Sequence, residues 1–124
     1  MKFVLYAVAL LTLASPAGAQ SMNAEQFHRR ATALRAKGMM ALFSGGEIKA
    51  LTAEAQAAAQ RSAEIRKAAM ASGQAPRFCP PKGPVSMDDK EFMTRLSAIP
   101  AADRARIDMT EATTRILAGK YPCR

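Results

Sequence analysis

The chain has 124 residues and a formal net charge of +8, with 18 Lys and Arg against 10 Asp and Glu, two cysteines and one histidine. That length holds one domain with a modest core. With a single histidine, no H-E-x-x-H spacing and no glycine-rich phosphate loop, the sequence excludes the common hydrolytic zinc and nucleotide-phosphate sites.

Residues 1–19 read as a signal peptide. Met1 and Lys2 give a short positive start, and Phe3 to Leu13 form an apolar run broken only by Thr12. Ala17 and Ala19 then take the A-x-A cleavage positions. The run is shorter than the roughly 20 apolar residues needed to cross a bilayer. A periplasmic location follows as the expectation, with residues 20–124 forming a single helical domain. Residues 20–78 carry nine basic and four acidic groups, residues 79–124 eight and six. Such a balance in a nuclear or cytosolic protein would suggest nucleic acid. Outside the cytoplasm no nucleic-acid partner is expected. The counter-surfaces there are anionic lipid headgroups, wall polymers or an acidic protein, and a merely solubilising surface charge is the plainer reading.

The first helix is predicted to begin after Asn23, a good N-cap, with Gln26 placed to complete a capping box. Phe27, Ala31 and Leu34 form its apolar stripe, and Gly38 ends it. Met39 to Phe43 is a short apolar run of one or two helical turns, stopped by Ser44-Gly45-Gly46. From Glu47 to about Ser72 the steps of three and four through Ile48, Leu51, Ala55, Ala58, Ser62, Ile65 and Ala69 make a heptad seam. Its Ala and Ser middle admits a close partner helix. That partner is either a helix of the same domain or a second copy of the chain, a homodimer through Ile48, Leu51, Ala55, Ala58, Ser62 and Ile65.

Residues 73–85 form a Pro- and Gly-rich linker that separates the helical half 20–72 from C-terminal helices over 86–124. Ser86 is the expected cap of the next helix, with Asp88 and Asp89 in a first turn where carboxylates favour the dipole. Phe92, Met93 and Leu96 are its buried face. Ile99-Pro100 breaks it, and Pro100 starts a last helix burying Ala105, Met109, Ala112 and Ile116 as far as Gly119. Cys79 and Cys123 are expected to pair, as two cysteines in an exported chain most often do. Free thiols or a metal pair are the alternative, without nearby ligands. The fold class is therefore all-α, a bundle of four to five helices with one disulfide.

No catalytic residue stands out. His28 sits beside Arg29 and Arg30, which disfavour imidazolium, and reads as a surface histidine. Asp88, Asp89 and Glu91 could serve acid–base chemistry or a hard metal, but helix-start electrostatics explains them with less. The methionines, among them Met39 and Met40, could bind Cu(I) and read more simply as soft core packing. Neither a cofactor nor a metal is expected.

The order Cys79-Pro80, a Gly83-containing linker, a polar-capped helix ending at Leu96 and Ile99-Pro100, an Ala-rich helix and Tyr121-Pro122-Cys123 resembles the C-terminal half of the Tai-type periplasmic proteins. That family includes immunity proteins against type VI secretion amidases. The resemblance implies an exported, helical, disulfide-bonded, non-enzymatic protein, and an immunity-type inhibitor that occludes a wall-degrading amidase. Cys79 and Cys123 carry over as its bridge. The other function consistent with the residues is an envelope-associated structural or chaperone-like protein whose basic N-terminal half binds anionic surfaces or clients.

Overall fold

The structure, a computed structural model, describes residues 21–83 and 86–124. The expected signal peptide lies outside the described residues, as do Pro84 and Val85 of the linker. Among the described residues there are five α-helices and one 3-10 segment, and no strand beyond a single isolated bridge.

Helix α1, Ala24–Ala36, starts where the sequence predicts it to start. Asn23 Oδ1 accepts the N–H groups of Glu25 (3.0 Å) and Gln26 (3.1 Å), two donors that lack an intrahelical partner. Phe27 and Ala31 are its buried stripe. Gly38 follows at φ +54, a conformation costly for a residue with a Cβ. The apolar run then forms the 3-10 segment Gly38–Phe43. It stops at Ser44 as expected, but the Ser44 carbonyl accepts the Ile48 N–H at 3.1 Å, so both glycines join the first turn of helix α2, Gly45–Ala71, which starts two residues before the expected Glu47.

Helix α2 is 27 residues long, about 40 Å at 1.5 Å per residue. Its seam packs within the chain, against helix α5, Met109–Lys120. Leu51, Ala58 and Ser62 are its buried residues, and the small side chains of the last two let α5 come close enough for Ser62 Oγ to donate to the Thr110 carbonyl at 3.1 Å. Ile48 and Ile65 of the same seam stay 37% and 56% exposed. The seam is covered only in its middle because α5, at 12 residues, is less than half as long as α2. The centre of the surface that a second copy would need is therefore already covered by α5.

The C-terminal helices depart from expectation in the cap of the first and in the continuity of the last, whose start at Pro100 stands. Helix α3, Asp89–Ala98, is capped by Asp88, whose carboxylate accepts the Glu91 N–H at 2.7 Å, and Ser86 lies outside the helix. The single last helix predicted from Pro100 is two: α4, Ala101–Arg104, and α5. Asp108 caps α5 by accepting the Glu111 N–H at 2.8 Å. Upstream carbonyls are taken by the N-terminal segment, since Asn23 Nδ2 donates to Ala105 O (3.0 Å) and Ala24 N to Ile107 O (3.0 Å). The chain cannot continue a helix through carbonyls so engaged, and Ala105, expected in the core, is exposed.

One core cluster joins these elements, with Phe27, Leu51, Met93, Leu96, Met109 and Ile116 as its bulk. Phe27 and Phe92 meet edge to face at 6.1 Å. The disulfide between Cys79 and Cys123 is formed, closing a separation of 44 residues, and the Cys79 N–H donates to the Tyr121 carbonyl at 2.8 Å. No helix among the described residues is long and apolar enough to cross a membrane.

Candidate functional site: an apolar groove between α2 and α3

Helices α2 and α3 each pack on α5 and leave a groove between them. Its volume is about 590 Å³, within the range of small-ligand and peptide sites. The α1 stripe forms one part of the floor through Phe27, Ala31 and Leu34, and α5 forms the rest through Thr113, Ile116 and Leu117. One wall is α2 at Ile48, Leu51, Ala55 and Ala59, and the other is Met87, Phe92 and Met93. Its polar lining groups are Arg35, Thr52, Gln56, Ser86 and Asp89, with the Thr113 hydroxyl in the floor. Such a surface favours an apolar guest with a polar margin.

The groove explains why the seam of α2 is uneven. Ile48, Leu51 and Ala55 face it, whereas Ala58 and Ser62 are sealed against α5. Thr113 is 3% exposed, and its hydroxyl has no hydrogen-bond partner among the described residues. An unpartnered hydroxyl at that depth costs the fold about 1–3 kcal/mol. Leu34, Met87 and Phe92 are only partly buried, a loss of core that helical periodicity does not reveal. Recognising the groove needs the divergence of α2 from α3, which is a tertiary property.

The sequence-predicted site residues lie elsewhere. Cys79 and Cys123 bind each other and do not line the groove. His28 is half-buried rather than freely exposed, because Nε2 lies 3.0 Å from Ser97 Oγ. Burial pushes its imidazole below the ordinary value, Arg104 adds to that, and Glu25 opposes it. No hydrogen bond to the other ring nitrogen forms among the described residues. Glu25 is engaged by Arg104 (2.7 Å) and Arg29 (3.1 Å), and the Arg104 hydrogen bond, foremost, holds its carboxyl below the usual range.

The acidic group divides as well. Asp88 is a cap, Asp89 stands at the groove rim, and Glu91 pairs with Lys120 and lies 3.7 Å from Arg95. Among the described residues no three His, Cys, Asp or Glu side chains gather as a metal site. Met93 and Met109 are in the core, whereas Met39, Met40 and Met70 are exposed. Sequence reasoning missed Arg104, which is 7% exposed and donates to the carbonyls of Ser97 and Ile99 as well as to Glu25. Its signal was the Ile99-Pro100 break, which leaves carbonyls at the end of α3 without partners. No family model, curated protein or solved structure matches this chain.

Proposed function

We propose that the protein is an exported, non-enzymatic binding module that receives an apolar segment of a partner protein in the groove between α2 and α3. The resemblance of residues 79–123 names the partner class, a secreted wall-cleaving amidase that the module inhibits. The groove is the observation that carries this reading. Its floor and walls are apolar over about 590 Å³, and an amphipathic helix or extended segment is the protein element that buries such a face. Arg35 and Asp89, lining residues of opposite charge, would fix the direction in which a segment lies.

The test mixes the purified protein with a secreted wall-cleaving amidase found encoded beside it and follows binding by calorimetry and wall hydrolysis by turbidity. Binding with inhibition is expected, and Ala59→Trp abolishes both. Ala59 is exposed on the groove wall, so the indole occupies the guest's space and leaves the core unchanged. Absence of binding ends the amidase version. Binding that Ala59→Trp leaves unaltered, with an unchanged melting temperature, ends the groove assignment.

A further inference from the structure

The connection between α1 and α2 carries four large apolar side chains in the open. Met39 is 84% exposed, Met40 64%, Leu42 75% and Phe43 84%. A run of this kind is either a binding surface or an aggregation hazard. It touches α1 and α2, and at Gly38, Gly45 and Gly46 nothing stands within 4 Å of where a Cβ would be. The segment thus projects from the end of the bundle as a tip.

Its surroundings are cationic. From Gln26 to Gly46 there is no acidic residue. The next carboxylate, Glu47, is taken by Arg30 at 2.7 Å. Lys49 and Arg35 form no ion pair among the described residues, and the Lys37 ammonium donates to the Ser44 hydroxyl at 3.2 Å. An apolar apex with cations behind it and no free carboxylate beside it matches the polarity gradient of an anionic bilayer surface.

We infer that this tip docks on an anionic phospholipid bilayer, with Met39, Met40, Leu42 and Phe43 entering the boundary between headgroups and acyl chains and Lys37 and Lys49 against the phosphates. The backbone suits that depth. Met40 N–H donates to the Lys37 carbonyl (3.0 Å) and Ser44 N–H to the Ala41 carbonyl (2.9 Å), so fewer polar groups enter unpaired. Methionine and leucine side chains adapt to a disordered acyl surface, and lysine stems reach from an apolar layer to a polar one. None of residues 37–43 lines the groove, so the docking and the groove reading stand or fall separately.

The chain has no tryptophan, so Phe43→Trp places a single indole at the apex. Mixed with vesicles of phosphatidylglycerol and phosphatidylcholine in equal parts, its emission is expected to shift to the blue and to be quenched by brominated acyl chains. Raising the salt reverses both changes. Pure phosphatidylcholine gives neither. In the same background Lys37→Gln with Lys49→Gln weakens vesicle binding about 25-fold, fivefold for each charge. Met39→Ser with Leu42→Ser weakens it about tenfold or more. All these positions are exposed, and circular dichroism is expected to stay unchanged. Binding without an indole shift would mean that another part of the chain carries it, and would overturn the assignment. So would equal binding to both vesicle types. So would sedimentation showing that the tip substitutions dissociate a dimer in the absence of vesicle binding, which would make a second copy the occupant.

Discussion

Two connections in this bundle each hold a phenylalanine, and the two are treated in opposite ways. Phe43, between α1 and α2, is 84% exposed, whereas Phe78, between α2 and α3, is 4% exposed. The difference comes from the fastenings around them. The Phe78 carbonyl accepts Arg66 Nε at 2.9 Å, and the same guanidinium lies 5.8 Å from the Phe78 ring centroid. Arg77 makes two bonds to Glu111 of α5 at 2.6 and 2.8 Å. Cys79 is joined to Cys123. Three successive residues are therefore each held to a different element. Around Phe43 the segment touches its neighbours α1 and α2, and the ring has no comparable anchor among the described residues. Residues 77–79 are thus a fixed end of the fold, and the apolar run of residues 39–43 is a free one.

Cutting the covalent fastening should have the largest effect. Cys79→Ser with Cys123→Ser releases a closure of 44 residues and costs about 4 kcal/mol by the loop-entropy argument, a large share of a small domain's stability. Urea unfolding of the oxidised protein and the double variant measures it. An unchanged midpoint would place the fastening in the contacts of Arg77 and Phe78 alone. The next effect compares the two rings directly. Phe78→Ala removes a buried aromatic and is expected to cost about 3 kcal/mol or more. Phe43→Ala is expected to change stability by less than about 0.5 kcal/mol. Equal losses in thermal or urea unfolding would contradict the contrast between a fixed end and a free one.

Much of the bundle is legible in the residues, and what is not has physical causes. Asn23, Phe27 and Ala31 announce α1 because cap and stripe agree on one register. Leu51, Ala58 and Ser62 are readable as a packing seam because size and spacing coincide. The two later caps were misplaced although both obey one pattern, Asp88 with Glu91 and Asp108 with Glu111. Ser86 and Pro100 offered plausible earlier starts, and sequence alone cannot weigh an upstream carbonyl captured by Asn23. Phe78 lies outside any periodic segment, so nothing local marks it as buried, and Arg104 is marked only by the Ile99-Pro100 break before it. The groove is harder still. Leu34 and Phe92 read as core by spacing, and their partial exposure depends on how α2 and α3 separate above α5.

The smallest effect concerns the ion pair at the fixed end. Hydrogen bonding from Arg77, first, and then from Arg115 holds the Glu111 carboxyl below its ordinary value, against the opposing pull of burial. Arg77 is raised by the same contact. A carboxyl depressed in the fold binds fewer protons there than in the unfolded chain, so stability rises with pH between the two values. The pair's contribution is complete above the unfolded carboxylate value, about 4.3, and is lost as pH falls through the lower folded one. Glu111 and Arg77 side chains are 32% and 53% exposed, so solvent screens the pair to less than about 1 kcal/mol, and less again in salt. Glu111→Gln should therefore lower the urea midpoint slightly at neutral pH, and the gap from the parent should close as the solution is acidified below pH ~4. Equal midpoints at neutral pH, or a gap that persists in acid, would mean that the contact does not hold Arg77 and that Phe78 and the disulfide fix the connector without it.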